Sequence, residues 1–281
     1  MFTCNVFPNF AILSHCGRRI LCGDEDREKD FVCIDAETGQ VQKRFRNDAA
    51  KGKLYVARLS PNGKTIVSDT QHGEILLWEV SSGEKLTSIA NTGELAKIAP
   101  CYPVFSPDSN SVALLSKVGL VIYDLASGTR QKFLLPNCRS VDYSMDGKIV
   151  VAYDGTKIAI ISVGMGKVVH TAQIGSQSSI IKAKFSSNGK NIAACSATGE
   201  LSLCGVDGVV LRNLKADRFF CAWCSFSHDG RLLVTGGAEG KAKVWIVDTG
   251  ELMQTISLRK RINTVEFSQN DKNIFIGIEL T

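Results

Sequence analysis

From Phe226 to Ile256 the chain runs FSHDGRLLVTGGAEGKAKVWIVDTGELMQTI, in which apolar runs such as RLLVTGG and KAKVWIV alternate with clusters of Gly, Asp and Thr. Short stretches of β-branched and aliphatic residues bounded by turn formers are strand and hairpin signals. The stretch therefore predicts four strands joined by three turns. Its opening element recurs along the chain: LSHCG at Leu13, LSPNG at Leu59, FSPDS at Phe105, YSMDG at Tyr143, FSSNG at Phe185, FSHDG at Phe226 and FSQND at Phe267. In each copy an apolar residue precedes a serine and a polar turn, where Gly and Asn accept positive φ at little cost.

With Ser14, Ser60, Ser106, Ser144, Ser186, Ser227 and Ser268 as origins, the steps are 46, 46, 38, 42, 41 and 41 residues. A period near forty in a strand-rich chain marks the blades of a propeller. A second landmark keeps phase with the first: a bulky strand residue 17 to 20 residues after the serine, then a Gly-terminated turn. It reads IDAETG at Ile34, WEVSSG at Trp78, YDLASG at Tyr123, ISVGMG at Ile161 and WIVDTG at Trp245, with a degenerate copy, LCGVDG, at Leu203. Each unit is then a four-stranded antiparallel sheet that buries its faces only by stacking on its neighbours.

With these two landmarks in register, the chain resembles the WD-repeat family over essentially its whole length. The resemblance implies an all-β fold, a β-propeller of four-stranded antiparallel blades with six full blades and a partial seventh, forming one domain over residues 1–281. Trp78, Tyr123 and Trp245 take the place of the family's third-strand packing residue. The family's hydrogen-bonded network is incomplete: Thr235 and Trp245 match, but Glu239 stands where Asp is expected and no Gly-His pair precedes the strand; in the second unit Ser68 and Trp78 match and His72 occupies the Asp position. The seventh unit has two strands before the chain stops at Thr281, and Phe2 to Phe7 is a candidate fourth strand for it.

Chemistry is harder to find. The formal net charge of +5 is mild and does not by itself imply nucleic acid. No apolar run reaches the roughly 18 residues that span a bilayer. The acid-rich DEDREKD, Asp24 to Asp30, has Lys29 where a calcium loop turns on glycine. The histidines, His15, His72, His170 and His228, fall in different units, and neither a nucleophile elbow nor a P-loop accompanies them. The ten cysteines scatter through strands. Cys221 and Cys224 in CAWC, three apart on a strand, face opposite sides and neither bridge nor chelate unless the strand is broken. All ten read as small hydrophobes of a reducing compartment. Catalytic residues, cofactors and metal ligands are accordingly assigned to none.

The expected function is a protein-interaction scaffold in the cytoplasm, with the nucleus as the alternative compartment. Its partner is a protein or peptide, acidic or phosphorylated, bound through loops at one face of the propeller. Three other readings stay open: a sensor or autoinhibitory propeller of a larger regulated ATPase, a chromatin or nucleic-acid reader, and a propeller enzyme. In the family's topology the loops from a fourth strand to the next first strand share a face with the second-to-third loops. The former are rich in bases: RNDAAKGK from Arg46, PNCR ending at Arg139, KADRFF from Lys215 and RKR from Arg259. The second-to-third loops, led by Asp24, Glu25, Asp26, Glu28 and Asp30, are more acidic. Arg218, Phe219, Phe220, Arg259, Lys260 and Arg261 are the candidate partner-binding residues.

Overall fold

Strands form wherever the apolar runs lie between the glycine and serine turns. The computed structural model describes residues 11–14, 17–23, 30–46, 54–70, 74–90, 103–116, 119–135, 138, 140–174, 179–268 and 270–278. Strands Ala11–Leu13, Arg19–Gly23, Phe31–Asp35 and Val41–Phe45 make the first sheet. The second comprises Leu54–Leu59, Thr65–Thr70, Ile75–Glu79 and Lys85–Ala90; the third, Val104–Phe105, Ser111–Ser116, Gly119–Asp124 and Arg130–Leu134. Ser140–Tyr143, Ile149–Asp154, Lys157–Ser162 and Lys167–Gln173 form the fourth, and Ile180–Phe185, Asn191–Ser196, Glu200–Gly205 and Val210–Lys215 the fifth. The sixth has Cys221–Phe226, Leu232–Gly237, Lys241–Ile246 and Leu252–Ser257, and the seventh, among the described residues, Ile262–Phe267 and Ile274–Ile278. Among the described residues every sheet is antiparallel with sequential strand order, six of them four-stranded and one two-stranded, in keeping with the expected all-β propeller. None of the described residues is helical, and so no helix among them is long and apolar enough to cross a membrane. The proposed strand Phe2 to Phe7, the acidic residues 24–29, His15, His72 and most of the loop after Arg46 lie outside the described residues.

The chain divides into two compact units, residues 1–136 with the first three sheets and 137–281 with the other four. Within each unit the cores lie between consecutive sheets. In the first unit Leu21, Phe31, Cys33 and Phe45 of the first sheet pack with Leu54, Ile66, Leu76 and Trp78 of the second. The Phe31 and Phe45 rings stack at 4.6 Å, and the Trp78 indole meets them edge-on at 5.5 and 6.2 Å. In the second unit Tyr153 and Ile160 share a core with Ile180 and Ile192, Cys195 and Leu203 with Cys224 and Trp245, and Val234 and Val244 with Ile262 and Val265. A sheet sandwiched in this way buries its middle strands on both faces. This explains why Thr65–Thr70 and Ile75–Glu79 are buried nearly throughout while Val210–Lys215 is exposed.

The recurring serine is the hub of the first turn in each sheet. The hydroxyl of Ser60 donates to Asn62 Oδ1 at 2.8 Å and accepts the Thr65 amide at 2.9 Å. The same pair of bonds holds Ser106, Ser144, Ser186, Ser227 and Ser268 to Asp108, Asp146, Asn188, Asp229 and Asn270 and to the amides of Ser111, Ile149, Asn191, Leu232 and Asn273. The serine hydroxyl is the leading reason that the carboxyls of Asp108, Asp146 and Asp229 sit below the ordinary aspartate value. At the next position the backbone takes positive φ, at Gly63, Gly147, Gly189 and Gly230, and also at Ser109 (64°) and Asp271 (56°), where no glycine is present. The first turn of each sheet also receives the start of the last turn: Val80 N donates to Lys64 O, Val163 N to Lys148 O and Val247 N to Arg231 O, each at 2.9 Å.

A depressed carboxyl contributes stability that is present above the unfolded value, about 3.9, and is lost as pH falls through the folded one. Asparagine already occupies the same place at Asn62, Asn188 and Asn270. Replacing Asp108, Asp146 and Asp229 together by Asn therefore flattens the acid limb of a stability-pH profile between about pH 5 and pH 2, as read by urea denaturation. Superimposable limbs would remove the role given to these carboxylates. In the seventh sheet, Ile274–Ile278 has a single strand neighbour among the described residues and Phe275 is 66% exposed. Hydrogen exchange at this strand is expected to be faster than at Leu232–Gly237; equal protection counts against a weak last blade.

Candidate loop-face interface

In the fifth and sixth sheets the second-to-third hairpin is clasped by the linkers before and after its sheet. In the sixth sheet Ala238 N donates to Phe220 O at 3.3 Å, and Leu258 N to Gly240 O at 2.8 Å. In the fifth, Ala197 N reaches Ser179 O at 2.8 Å and Ala216 N reaches Gly199 O at 3.0 Å. The linkers and hairpins thus meet on one side here, as the family resemblance implies, and two of these linkers, the one before and the one after the sixth sheet, carry all six candidate residues.

Asp217 organises the first of them. Only 2% exposed, it accepts the Phe219 amide at 2.8 Å and, through its other oxygen, the Glu239 amide at 3.0 Å. A side chain at Gly237 would collide with Phe220 O and the Asp217 carboxylate, so the close approach requires glycine there. The linker after the sixth sheet is fixed as tightly: a Cβ at Gly240, itself at φ 71°, would lie 2.8 Å from Lys260 O. Arg259 takes positive φ (57°) in this turn, a conformation that costs a non-glycine residue about 1–2 kcal/mol.

These loops present bases against rings. The Arg261 guanidinium lies 4.7 Å from the Phe220 ring centroid and Arg218 lies 5.5 Å from that of Phe219. Phe219 is 58% exposed, and Arg218, Arg259, Lys260 and Arg261 are exposed. No carboxylate among the described residues pairs with these four bases. The nearby Glu239 is held by Lys241, the leading cause of its lowered carboxyl pKa. The expected family network survives in half: Trp245 Nε1 donates to Thr235 at 3.0 Å and Trp78 Nε1 to Ser68 at 2.9 Å. Asp217, which sequence reasoning did not single out, ties the linker to the hairpin by accepting backbone amides. The buried acid in KADRFF was its one visible signal.

Other candidates separate. His170 lies on an outer strand of the fourth sheet, while His228 sits in the first turn of the sixth with Nδ1 3.0 Å from Asp271 Oδ1. A cavity of about 180 Å³ in the second unit is lined by Asp142, Lys184, Trp223, Ser225 and Glu266 among others. Four of these are the residues two places before a repeat serine, and Lys184 Nζ lies 3.7 Å from Asp142. The sequence reading missed this set because its members differ in charge and size. The reading of Cys221 and Cys224 needs correction: a β-bulge between Cys221 and Trp223 restores them to one face, where both reach the Cys195 thiol.

The WD domain, G-beta repeat family model matches residues 208–245. Autophagy-related protein 16 of Arabidopsis thaliana is 22% identical over 251 residues, covering 84% of this chain and 47% of that protein. The chain thus spans about half the length of this curated relative. Among solved structures, the β-propeller domain of Cps50 (Swd1) from Myceliophteria thermophila superposes with a TM-score of 0.74 at 13% identity, over 98% of this chain and 94% of that one. These likenesses define the class, a β-propeller. The seven serine turns, the two Trp–hydroxyl bonds and the match of residues 208–245 support a propeller of the WD-repeat type.

Replacing Asp217 by Ala strands the Phe219 and Glu239 amides. The expected loss is about 1–3 kcal/mol in urea denaturation, with faster exchange at those two amides. Unchanged exchange there would show that the loops hold without it.

Proposed function

We propose that the chain is a non-catalytic interaction scaffold that takes an acidic or phosphorylated peptide at the patch formed by Arg218, Phe219, Phe220, Arg259, Lys260 and Arg261. The observation that carries this reading is that four exposed bases without carboxylate partners among the described residues stand on two linkers, each tied by backbone bonds to the hairpin between them, and two of these bases lie over phenyl rings. Such bases are set for charge-assisted hydrogen bonds to carboxylate or phosphate, and the exposed Phe219 offers an apolar anchor beside them. Loops already held by Asp217 and by the Gly240 contact lose little freedom on binding, which favours affinity. The family likeness supports a scaffold rather than an enzyme, and the similarity to an autophagy-related protein makes autophagy the first process in which to seek the partner.

The test is capture of partners from native cells by the intact chain, followed by titration of the partner's acidic segment. Arg259→Glu, Lys260→Glu and Arg261→Glu together are expected to weaken binding by about tenfold or more, the scale of a lost charge-assisted bond. The parent's affinity should fall with added salt, and the β-sheet circular dichroism should be the same in both. A folded variant with unchanged affinity and salt dependence moves the interface elsewhere.

A further inference from the structure

The joints between sheets in the second unit share one construction. The residue nine places after a repeat serine, on the second strand of one sheet, meets the residues six and three places before the next serine, on the first strand of the following sheet. Between the fourth and fifth sheets these are Tyr153 against Ile180 and Ala183, in one core. Between the sixth and seventh they are Gly236 against Ile262 and Val265, close enough that a Cβ at Gly236 would lie 2.6 and 2.9 Å from their side chains. A bulge at the same place in each first strand, at Ile180/Lys182, Cys221/Trp223 and Ile262/Thr264, brings the two first-strand residues to the same face.

Between the fifth and sixth sheets all three positions are cysteine. Cys195, Cys221 and Cys224 are each fully buried, and the Cys195 and Cys221 sulfurs stand 2.7 Å apart. Packed carbons keep about 3.5–4.0 Å, whereas an S–S bond measures about 2.05 Å. The neighbouring joints show that packing alone is met by aliphatic side chains at the same first-strand places. Three thiols converging there bring a chemistry that packing does not ask for.

We propose that Cys195 and Cys221 are an oxidisable dithiol, which a hydroperoxide converts into a disulfide joining the fifth and sixth sheets. One sulfur attacks the terminal peroxide oxygen, the O–O bond breaks, and water leaves from hydrogen peroxide or an alcohol from an alkyl hydroperoxide. The sulfenic acid so formed is attacked by the second sulfur; its S–O bond breaks and water departs with the remaining proton. Two thiols are oxidised to one disulfide, and the two electrons and two protons pass to the peroxide.

Burial and the two neighbouring thiols raise the Cys195 thiol well above its usual range. Thiolate is therefore scarce and the reaction is slow, proceeding through local openings of the sheets. The bond closes a loop whose ends are 26 residues apart and fixes the strand that follows directly from Phe220.

The intact chain, purified fully reduced, is exposed to hydrogen peroxide without denaturant, then unfolded, alkylated and mapped by mass spectrometry. Two fewer alkylated thiols and a peptide linking the Asn191–Ser196 strand to the Cys221–Phe226 strand through Cys195 and Cys221 are expected. Cys195→Ala and Cys221→Ala each abolish that link, and Cys224→Ala retains it. Amide exchange across Cys221–Phe226 should slow after oxidation. Full alkylation of the peroxide-treated parent, a bond to Cys224 in place of the stated pair, or unaltered exchange in a cross-linked sample overturns the proposal. Where an alanine variant does not fold, the peptide map of the parent alone decides.

Discussion

The serine hydroxyl in the first turn of each sheet, its residue buried in all but the seventh, is the interaction on which the rest of the architecture rests. From Ser60 through Ser268 it donates to a carboxylate or amide oxygen two residues on and accepts the amide five residues on. One atom thereby closes the hairpin between first and second strands. Those strands are then in fixed register, so the apolar set of the second strand faces both neighbouring sheets together with that of the third. A one-residue slip would turn that set away from its partners. Packing and turn chemistry thus specify the same register, which is the consistency expected of a sequence that selects one fold.

Much of this was legible. The serine turns, the glycines after them and the bulky third-strand residues are local signals, and each is required by chemistry acting within a few residues. Trp78 and Trp245 could be read because the indole must both fill a joint and find an acceptor, supplied by Ser68 and Thr235. The two strands that the described residues give the seventh sheet could likewise be counted from the spacing.

What stayed hidden depends on residues distant in sequence. The first-strand bulge has no residue signature; Leu54, Ile180, Cys221 and Ile262 share only burial. Alternation along an unbroken strand therefore assigned Cys221 and Cys224 to opposite faces. Asp217 was obscured for a related reason, since its partners are the amides of Phe219 and of Glu239, the latter 22 residues on. The six candidate residues were named from base and aromatic content alone. Their assembly on two linkers bonded to one hairpin is a matter of sheet stacking that composition does not encode.

The strained backbone positions extend the same logic. In the second and sixth sheets the residue three places after the serine lies at the boundary with the preceding sheet: a Cβ at Gly230 would press on Asn188, and one at Gly63 would touch Arg19. Where a side chain replaces glycine at this place, it bonds to the neighbour. Ser109 Oγ accepts the Asn62 amide at 3.0 Å, and the Asp271 carboxylate accepts the His228 amide at 2.9 Å while also meeting its ring. Positive φ at a non-glycine residue costs about 1–2 kcal/mol, and a hydrogen bond to a charged group returns about 1.5–3 kcal/mol. At Asp271 the bond therefore offsets the strain, and it does so where the two-stranded seventh sheet has least packing of its own. The turn that closes each hairpin is also the place where one sheet holds the next, so local conformation and repeat stacking are specified by the same few residues.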